Sequence, residues 1–365
     1  MENNKKEENK WILEVCKGDA ADRDKIKSYM NSGLDYPYIL GHLLFNRIGA
    51  LAYTTLESLN LLPALNREMR NTLYSIYSFS SLLTDCFIES LNQMKPLCES
   101  FHFPYALLKG AYLVSLYRRG QRTSNDIDIL VQPEYITDLS TILKGAGFKQ
   151  GKIQNGGFIP AGRPEIISSR INRGETVPFI KEIGLPYMKY LEVDVNFSLG
   201  FMPGADSDIV GKFLSNTQPL IFGSVLTLDP TDFLIHLCAH LYKEATTYKW
   251  VEMGRDISLY KYCDFLVFFR NYMNVDFAEK LSERIKELGL NNECYYALYY
   301  TARLFDIVDE ATDMLLESIK PLDLTFMDRV FDPAKNRMYS YESDYSDWVF
   351  CGKRREHLYE VGNGR

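Results

Sequence analysis

The sequence lacks several features that would assign it to a membrane or extracellular class. None of its 365 residues lie in an apolar stretch approaching the ~20 residues of a membrane-spanning helix. Residues 1–8 contain no apolar core, so no signal peptide is predicted. The seven cysteines are scattered and include no Cys-x-x-Cys pair, which argues against a disulfide framework and a zinc knuckle. We therefore expect a soluble, reduced, cytoplasmic protein with no membrane partner.

The chain also lacks an excess of basic residues. It has 41 Lys and Arg against 48 Asp and Glu, a formal net charge of −7. A general nucleic-acid coat or a membrane-surface binder would need a basic face, so both classes are disfavoured, although one basic pocket remains compatible with this charge. Hydrophobic residues make up 46% of the chain, which is enough for a substantial core and argues against disorder.

Strand signals are confined to the middle of the chain. Apolar residues recur at helical spacing from residue 10 to about residue 100, and helical patterns return after residue 228. Between them, Tyr105–Leu108, Asp126–Val131 and Tyr190–Leu199 predict three strands. The fold class is therefore α+β, with helical regions on both sides of an α/β core. The predicted boundaries are 1–100 for an N-terminal helical region, 101–228 for the core, 229–330 for a C-terminal helical domain and 331–365 for a tail.

Four local patterns give further predictions for segments outside these strands. Ala111–Arg119 is typical of a helix closed by a glycine, and Glu134–Lys144 of a second helix. Six glycines from Gly145 to Gly162 predict a flexible loop or an irregular hairpin. Thr231 is a candidate cap for the helix that begins the C-terminal region.

The sharpest chemical signal is the run Asp126-Ile127-Asp128. Residues i and i+2 of a strand point to the same face with Cα atoms roughly 6–7 Å apart, so the two carboxylates are neighbours. They repel each other unless a cation lies between them, and they suit Mg²⁺, which binds carboxylates together with phosphate oxygens. Taken alone, the pattern also fits an exposed sheet edge with solvated acids.

A second acidic pattern strengthens the metal interpretation. Glu192, Asp194 and Asn196 alternate with apolar residues on a later predicted strand and therefore share one face. A third carboxylate beside an Asp-x-Asp pair completes a two-metal site, in which ions roughly 3.5–4 Å apart bind the attacking and leaving oxygens of a phosphoryl displacement.

The segment before the Asp-x-Asp run is locally basic. The four basic residues from residue 109 to residue 122 are accompanied by no acid, and they are Lys109, Arg118, Arg119 and Arg122. Gly110 allows backbone amides to approach an anion closely at the start of a helix. Arg118 and Arg119 are better explained as cations in the last helical turn, whereas Lys109 and Arg122 adjoin the motifs and are favoured for phosphate binding.

These motifs resemble the DNA polymerase beta-type nucleotidyltransferase superfamily. More narrowly, they resemble its bacterial branch of uncharacterised nucleotidyltransferases, whose signature reads like LKG…R…DIDLLV. The matching residues are Leu107–Ala111, Arg122 and Asp126–Val131, followed by Asp194 on a later strand. The resemblance covers about residues 35–270 and implies a small mixed β-sheet nucleotidyltransferase core.

The resemblance also implies a role for individual residues. Asp126, Asp128 and Asp194 would be the metal ligands and catalytic carboxylates, with Asp194 helping to deprotonate the acceptor hydroxyl. Glu192 would replace Asp194 if the strand register differed. The implied nucleotide-binding residues are Lys109, Gly110, Arg122 and Ser124.

The chain departs from the superfamily at one position. The usual Gly-Ser at the helix start is Gly110-Ala111 here, so a hydroxyl that could contact phosphate is lost. Two alternatives are open: Lys109 or Arg122 compensates for the lost hydroxyl, or the protein binds nucleotide more weakly.

The resemblance implies an enzyme that uses Mg²⁺ or Mn²⁺ and a nucleoside triphosphate, with ATP favoured. It would move a nucleoside monophosphate to a hydroxyl or phosphate of a small-molecule or peptide acceptor and release pyrophosphate. One alternative is a toxin-like transferase that acts on tRNA, which the net negative charge disfavours. The other is a non-catalytic, nucleotide-binding regulatory protein, which the presence of all three carboxylates disfavours.

Overall fold

The computed structural model describes residues 5–200, 206–220, 223 and 225–363 of the chain. The fold is α+β, as predicted, with a mixed sheet and helical flanks. The chain divides into two compact units. We call Met1–Ser78 together with Cys238–Arg365 the helical unit, and Phe79–Leu237 the sheet unit.

The chain begins with helices and then enters the sheet. The helices before the first strand are α1 (Lys6–Cys16), α2 (Arg23–Met30), α3 (Tyr36–Phe45), α4 (Gly49–Ser58) and α5 (Arg67–Glu99). The elements that follow are β1 (Tyr105–Leu107), α6 (Gly110–Leu113), β2 (Asp126–Val131), α7 (Ile136–Gly145), β3 (Lys149–Gln154), β4 (Gly157–Pro160), α8 (Arg163–Asn172), β5 (Phe179–Leu185), β6 (Met188–Asn196), α9 (Ser207–Leu214), β7 (Thr217–Pro219) and β8 (Leu226–Leu228).

Helices return after β8, and a small second sheet lies near the end of the chain. These elements are α10 (Pro230–Ala245), α11 (Tyr248–Glu252), α12 (Leu259–Tyr272), α13 (Val275–Leu288), α14 (Asn291–Leu304), α15 (Glu310–Ile319), β9 (Arg329–Asp332), β10 (Arg337–Ser340), α16 (Tyr345–Phe350) and β11 (Tyr359–Asn363). Short 3-10 helices occupy Gly18–Ala20, Leu62–Ala64, Pro133–Tyr135, Thr325–Asp328 and Arg354–His357. No helix among the described residues has the length and apolar character needed to cross a bilayer.

Local sequence signals set several helix ends. In the first turn of α2, the Asp22 side chain accepts hydrogen bonds from the Asp24 and Lys25 amides. In the first turn of α13, Asn274 accepts one from the Phe277 amide. Gly289 ends α13 in the left-handed conformation, with φ 68°. At α10 the predicted cap was wrong, because Thr231 lies inside the helix and donates its backbone amide to Asp229 Oδ1 at 2.9 Å.

The larger sheet has the strand order β4-β3-β5-β6-β2-β1-β8-β7. At its centre β2 pairs in parallel with β6 and antiparallel with β1, so the sheet is mixed. Ile127, Ile129, Val193 and Val195 of the central pair are almost completely buried. Because side chains alternate along a strand, the residues between them are displayed together on the other face.

Two predictions for the connecting segments change in detail, and one strand was not predicted. The helix predicted over Ala111–Arg119 is only the single turn α6, after which the chain turns towards β2. The glycine-rich segment forms a hairpin, in which β3 and β4 pair around Asn155 and Gly156, both with positive φ. Strand β5, which was not predicted, pairs with β6 on the side opposite β2.

Candidate active site

The acidic residues predicted from the sequence are brought together by the pairing of β2 with β6. In this parallel register Asp126 lies opposite Glu192, and Asp128 lies opposite Asp194. Paired residues of neighbouring strands project to the same side of a sheet, so the four carboxylates share one face. We call this side of the β2–β6 pair the acidic face. The register therefore places Asp194 beside the Asp-x-Asp pair and adds Glu192 to the same group, rather than substituting one for the other.

Each aspartate of the Asp-x-Asp pair is held by its own donors. Asp128 is only 4% exposed and accepts hydrogen bonds at Oδ1 from Lys109 Nζ at 2.7 Å and Asn196 Nδ2 at 3.2 Å. Asp126 accepts one from Ser124 Oγ at 2.7 Å. The two carboxylates are thus oriented by residues from the segment before β2, from the end of β6 and from the turn after β1.

Burial and repulsion by neighbouring carboxylates make ionisation of Asp128, Glu192 and Asp194 unfavourable. Burial raises the pKa of Asp194 well above its usual range, and the neighbouring Asp128 and Asp126 carboxylates raise it further. Burial also raises the pKa of Glu192, with Asp126 contributing. The pKa of Asp128 is raised mainly by burial, although the Lys109 ammonium opposes this effect. An additional cation on this face would offset the same repulsion.

Lys109 occupies an unusual backbone position between β1 and α6. Its φ of 44° and ψ of −113° match the first central residue of a type II′ turn, a position that strongly favours glycine. The turn is closed by a hydrogen bond from the Ala111 amide to the Leu108 carbonyl at 3.2 Å. The Leu108 amide in turn donates to the Asp128 carbonyl at 2.9 Å, which fixes the turn beside β2. A strained non-glycine residue in such a place is typical of functional sites.

Gly110 is required by a close contact with Ser124. A Cβ atom on Gly110 would lie 2.5 Å from Ser124 Oγ and 2.6 Å from Ser124 Cβ, distances that no side chain can occupy without movement. Ser124 therefore packs directly on the turn while its hydroxyl donates to Asp126. Of the predicted nucleotide-binding residues, Lys109, Gly110 and Ser124 are joined to the carboxylates through these contacts.

The remaining basic residues lie on the segment between α6 and β2. Arg122 is partly buried, and its guanidinium donates to the Thr123 carbonyl. Arg119 is exposed and its Nε donates to Asp85 Oδ1 at 2.8 Å. The explanation of Arg118 and Arg119 as cations of a last helical turn was wrong, because α6 ends at Leu113.

The metal prediction can be compared with the donor set. Among residues 5–200, 206–220, 223 and 225–363, no three His, Cys, Asp or Glu side chains are grouped so that they could hold a metal ion together. On the acidic face, Asp128 is directed to Lys109 and Asp126 to Ser124. The candidate metal ligands are nevertheless carboxylate oxygens, which are hard ligands, on paired strands. The Lys109 ammonium shows that Asp128 Oδ1 already has a cation beside it. The type of donor atom is therefore compatible with Mg²⁺ or Mn²⁺, and the metal site stays a prediction.

Asn196 is the one member of this cluster that was not singled out as a site residue. It continues the alternation of Glu192 and Asp194 on β6, and its amide donates to the Asp128 carboxylate. The alternation alone could have identified it, because the third polar residue of the series necessarily shares the acidic face.

Comparison with known proteins agrees with the features of this site. The profile of a family described as uncharacterised nucleotidyltransferases matches residues 36–306, which is more than half of the chain and includes every residue of the acidic face. No curated protein and no solved structure matches the chain significantly. The chain therefore belongs to this family of nucleotidyltransferases and is an enzyme of nucleotidyl transfer.

Proposed function

We propose that the protein transfers a nucleoside monophosphate from a nucleoside triphosphate, with ATP as the favoured donor, to a hydroxyl or phosphate of a small-molecule or peptide acceptor. The reaction releases pyrophosphate and depends on Mg²⁺ or Mn²⁺. We also propose that the core is of the DNA polymerase beta type. The observation that carries the proposal is the register that sets Asp126 and Asp128 against Glu192 and Asp194, with the Lys109 ammonium beside them.

In this proposal, Asp126, Asp128 and Asp194 hold the divalent ion. When bound, the ion supplies positive charge to the triphosphate oxygens and stabilises the negative charge that develops during transfer. Ser124 fixes the orientation of Asp126 through its hydrogen bond to Oδ1. Lys109 and Arg122 bind phosphate oxygens as charged donors, and Gly110 directly follows Lys109 in the turn after β1.

The bond changes are those of an in-line displacement. An acceptor oxygen bonds to the α-phosphorus while the bond from the α-phosphorus to the bridging oxygen breaks, and pyrophosphate leaves. Asp194 helps to remove the proton of the acceptor hydroxyl.

The charge of the chain favours a small acceptor over tRNA. A tRNA acceptor needs a broad basic track, whereas the net charge here is −7. A purely regulatory role is disfavoured, because four neighbouring carboxylates repel one another and reduce the stability of the fold. Such a group has no evident use without a cation.

The test is an assay of the full-length protein with each α-labelled nucleoside triphosphate, Mg²⁺ or Mn²⁺, and pools of hydroxyl-bearing small molecules, peptides or tRNA. We expect metal-dependent pyrophosphate release and label on a small molecule or peptide. Asp128→Asn, which keeps the side-chain volume and removes the charge, should lower kcat at least about a hundredfold, the scale seen when one transition-state stabilising group is lost. Label on tRNA would support the toxin-like alternative. Absence of release with every triphosphate and acceptor pool would refute the proposed reaction.

A further inference from the structure

Lys109 combines two features that neither packing nor turn formation explains. It has the backbone conformation of a glycine position, at φ 44° and ψ −113°. Its side chain is only partly exposed, and its ammonium lies 2.7 Å from Asp128 Oδ1. A glycine would form the same turn without strain, so the lysine side chain must supply something that the turn itself does not need.

The position of the ammonium indicates that the lysine side chain supplies positive charge beside Asp128. Asp128 is almost fully buried, next to the carboxylates of Asp126 and Asp194, and an uncompensated charge there is strongly unfavourable. Lys109 provides the compensating charge at Asp128 Oδ1, an oxygen of the carboxylate that the proposed divalent ion would bind. The ammonium and a divalent ion therefore compete for Asp128, because two cations on one carboxylate oxygen repel each other.

We propose that Lys109 is an exchangeable cation that stands on Asp128 in the ligand-free protein and moves to the triphosphate when the divalent ion arrives. This inference rests on the proposed metal-dependent transfer and adds an order to it. Metal alone must displace the ammonium and binds weakly, whereas metal brought with a triphosphate offers the released ammonium a new anionic partner. Metal and nucleotide therefore bind with positive coupling.

The chemistry of lysine suits this exchange. Its ammonium is a point charge with three donors on a flexible four-carbon stem, so it can leave one anion and bind another without a fixed approach direction. The stem starts from a turn that is tied to Asp128 through the Leu108 amide and continues into Gly110. The carboxylate and the phosphate-binding turn are consequently both neighbours of the same side chain.

The test measures Mn²⁺ binding in the absence of nucleotide, by electron paramagnetic resonance of the free ion. Lys109→Gln removes the competing charge and should tighten Mn²⁺ binding about tenfold, the effect of one charge-assisted contact. The same variant should weaken binding of a non-hydrolysable triphosphate, measured by calorimetry with metal present, by a similar factor. Opposite signs for the two ligands are the signature of exchange, because loss of a purely structural lysine would weaken both.

Two further variants keep the test decisive. Lys109→Gly also removes the cation but relieves the backbone strain, so it should fold at least as stably as Lys109→Gln and show the same tighter Mn²⁺ binding. Arg122→Gln is the matched control, because it should weaken triphosphate binding and leave the affinity for Mn²⁺ alone unchanged. Equal or weaker Mn²⁺ binding in both Lys109 variants would overturn the inference.

Asp128→Asn separates this inference from the proposed function. If Asp128→Asn abolishes Mn²⁺ binding but neither Lys109 variant tightens it, the metal site stands and the exchange is refuted. If Asp128→Asn binds Mn²⁺ as the unmodified protein does, the metal site itself is refuted and the exchange falls with it.

Discussion

Replacing Gly110 with alanine tests the contact that joins the turn after β1 to the segment before β2. The new Cβ would lie 2.5 Å from Ser124 Oγ and 2.6 Å from Ser124 Cβ, so one of the two residues must move. Ser124 cannot move freely, because its hydroxyl holds Asp126 Oδ1 at 2.7 Å. The substitution therefore either strains the turn or breaks the hydrogen bond to the carboxylate.

The expected loss follows from these two routes. Overpacking in a well-packed site costs about 1–3 kcal/mol, and a hydrogen bond to a charged group contributes about 1.5–3 kcal/mol. Alanine in a helix is favoured over glycine by about 1 kcal/mol, but α6 is a single turn, so little of this gain applies. We expect the free energy of unfolding to fall by about 1–3 kcal/mol, measured by urea denaturation.

Matched backgrounds identify the cause of that loss. In a Ser124→Gly background both clashing atoms are gone, and Gly110→Ala should cost almost nothing. In a Ser124→Ala background the Cβ contact at 2.6 Å remains, and the cost should persist. The difference between the backgrounds should be about 1 kcal/mol or more, as expected for residues in direct contact. An equal cost of Gly110→Ala in all three backgrounds would refute the contact as the reason for glycine.

Three further predictions concern charged residues. Arg122→Ala should weaken triphosphate binding about tenfold or more, as measured by calorimetry, whereas Arg118→Ala, on the exposed turn beyond α6, should change it little. Because burial raises the pKa of Asp194, the folded protein keeps that proton at pH values where the unfolded chain has lost it, and metal-free stability falls as pH rises above the ordinary aspartate range. Asp194→Asn should remove this loss and melt higher than the unmodified protein at pH 8 without metal, so an equal or lower melting temperature would contradict the electrostatic account. In the helical unit, Arg354→Met should cost about 3–5 kcal/mol in urea denaturation, because it leaves the fully buried Asp256, now bonded at 2.6 and 2.8 Å, without its charge partner.

The central strands could be predicted because their signals are local. The predicted bounds of Asp126–Val131 agree with β2, since alternation begins the strand and a proline lies two residues beyond its end. The hairpin of β3 and β4 was only one of two open interpretations, because the count of glycines outweighed the Asn155-Gly156 pair, a strong hairpin signal. Strand β5 was missed because Lys181 and Glu182 interrupt its apolar pattern.

The acidic face was predictable only in part. Alternation within each strand shows which residues share a face, but the pairing of Asp128 with Asp194 depends on register between strands that are far apart in the sequence. The Lys109–Asp128 ion pair depends on the positive φ of Lys109. A lysine in the sequence does not indicate such a conformation. The Ser124–Gly110 contact depends on the path of the chain after α6, which was predicted as a longer helix and is a turn.

Two locally unfavourable features of the sheet unit lie beside each other. One is a group of negatively charged side chains, and the other is a positively charged lysine with a strained backbone. The acidic face collects carboxylates whose ionisation is resisted by burial, and the turn beside it holds a lysine in a conformation suited to glycine. A glycine at position 109 would relieve the backbone strain but would also remove the ion pair with Asp128, whereas an amide in place of Asp194 would reduce the repulsion among the acids. In the proposed function, a divalent ion would offset the charge of the acids, and the triphosphate would receive the displaced ammonium. Strain and repulsion located at one turn and one strand pair are therefore better explained by ligand binding than by folding.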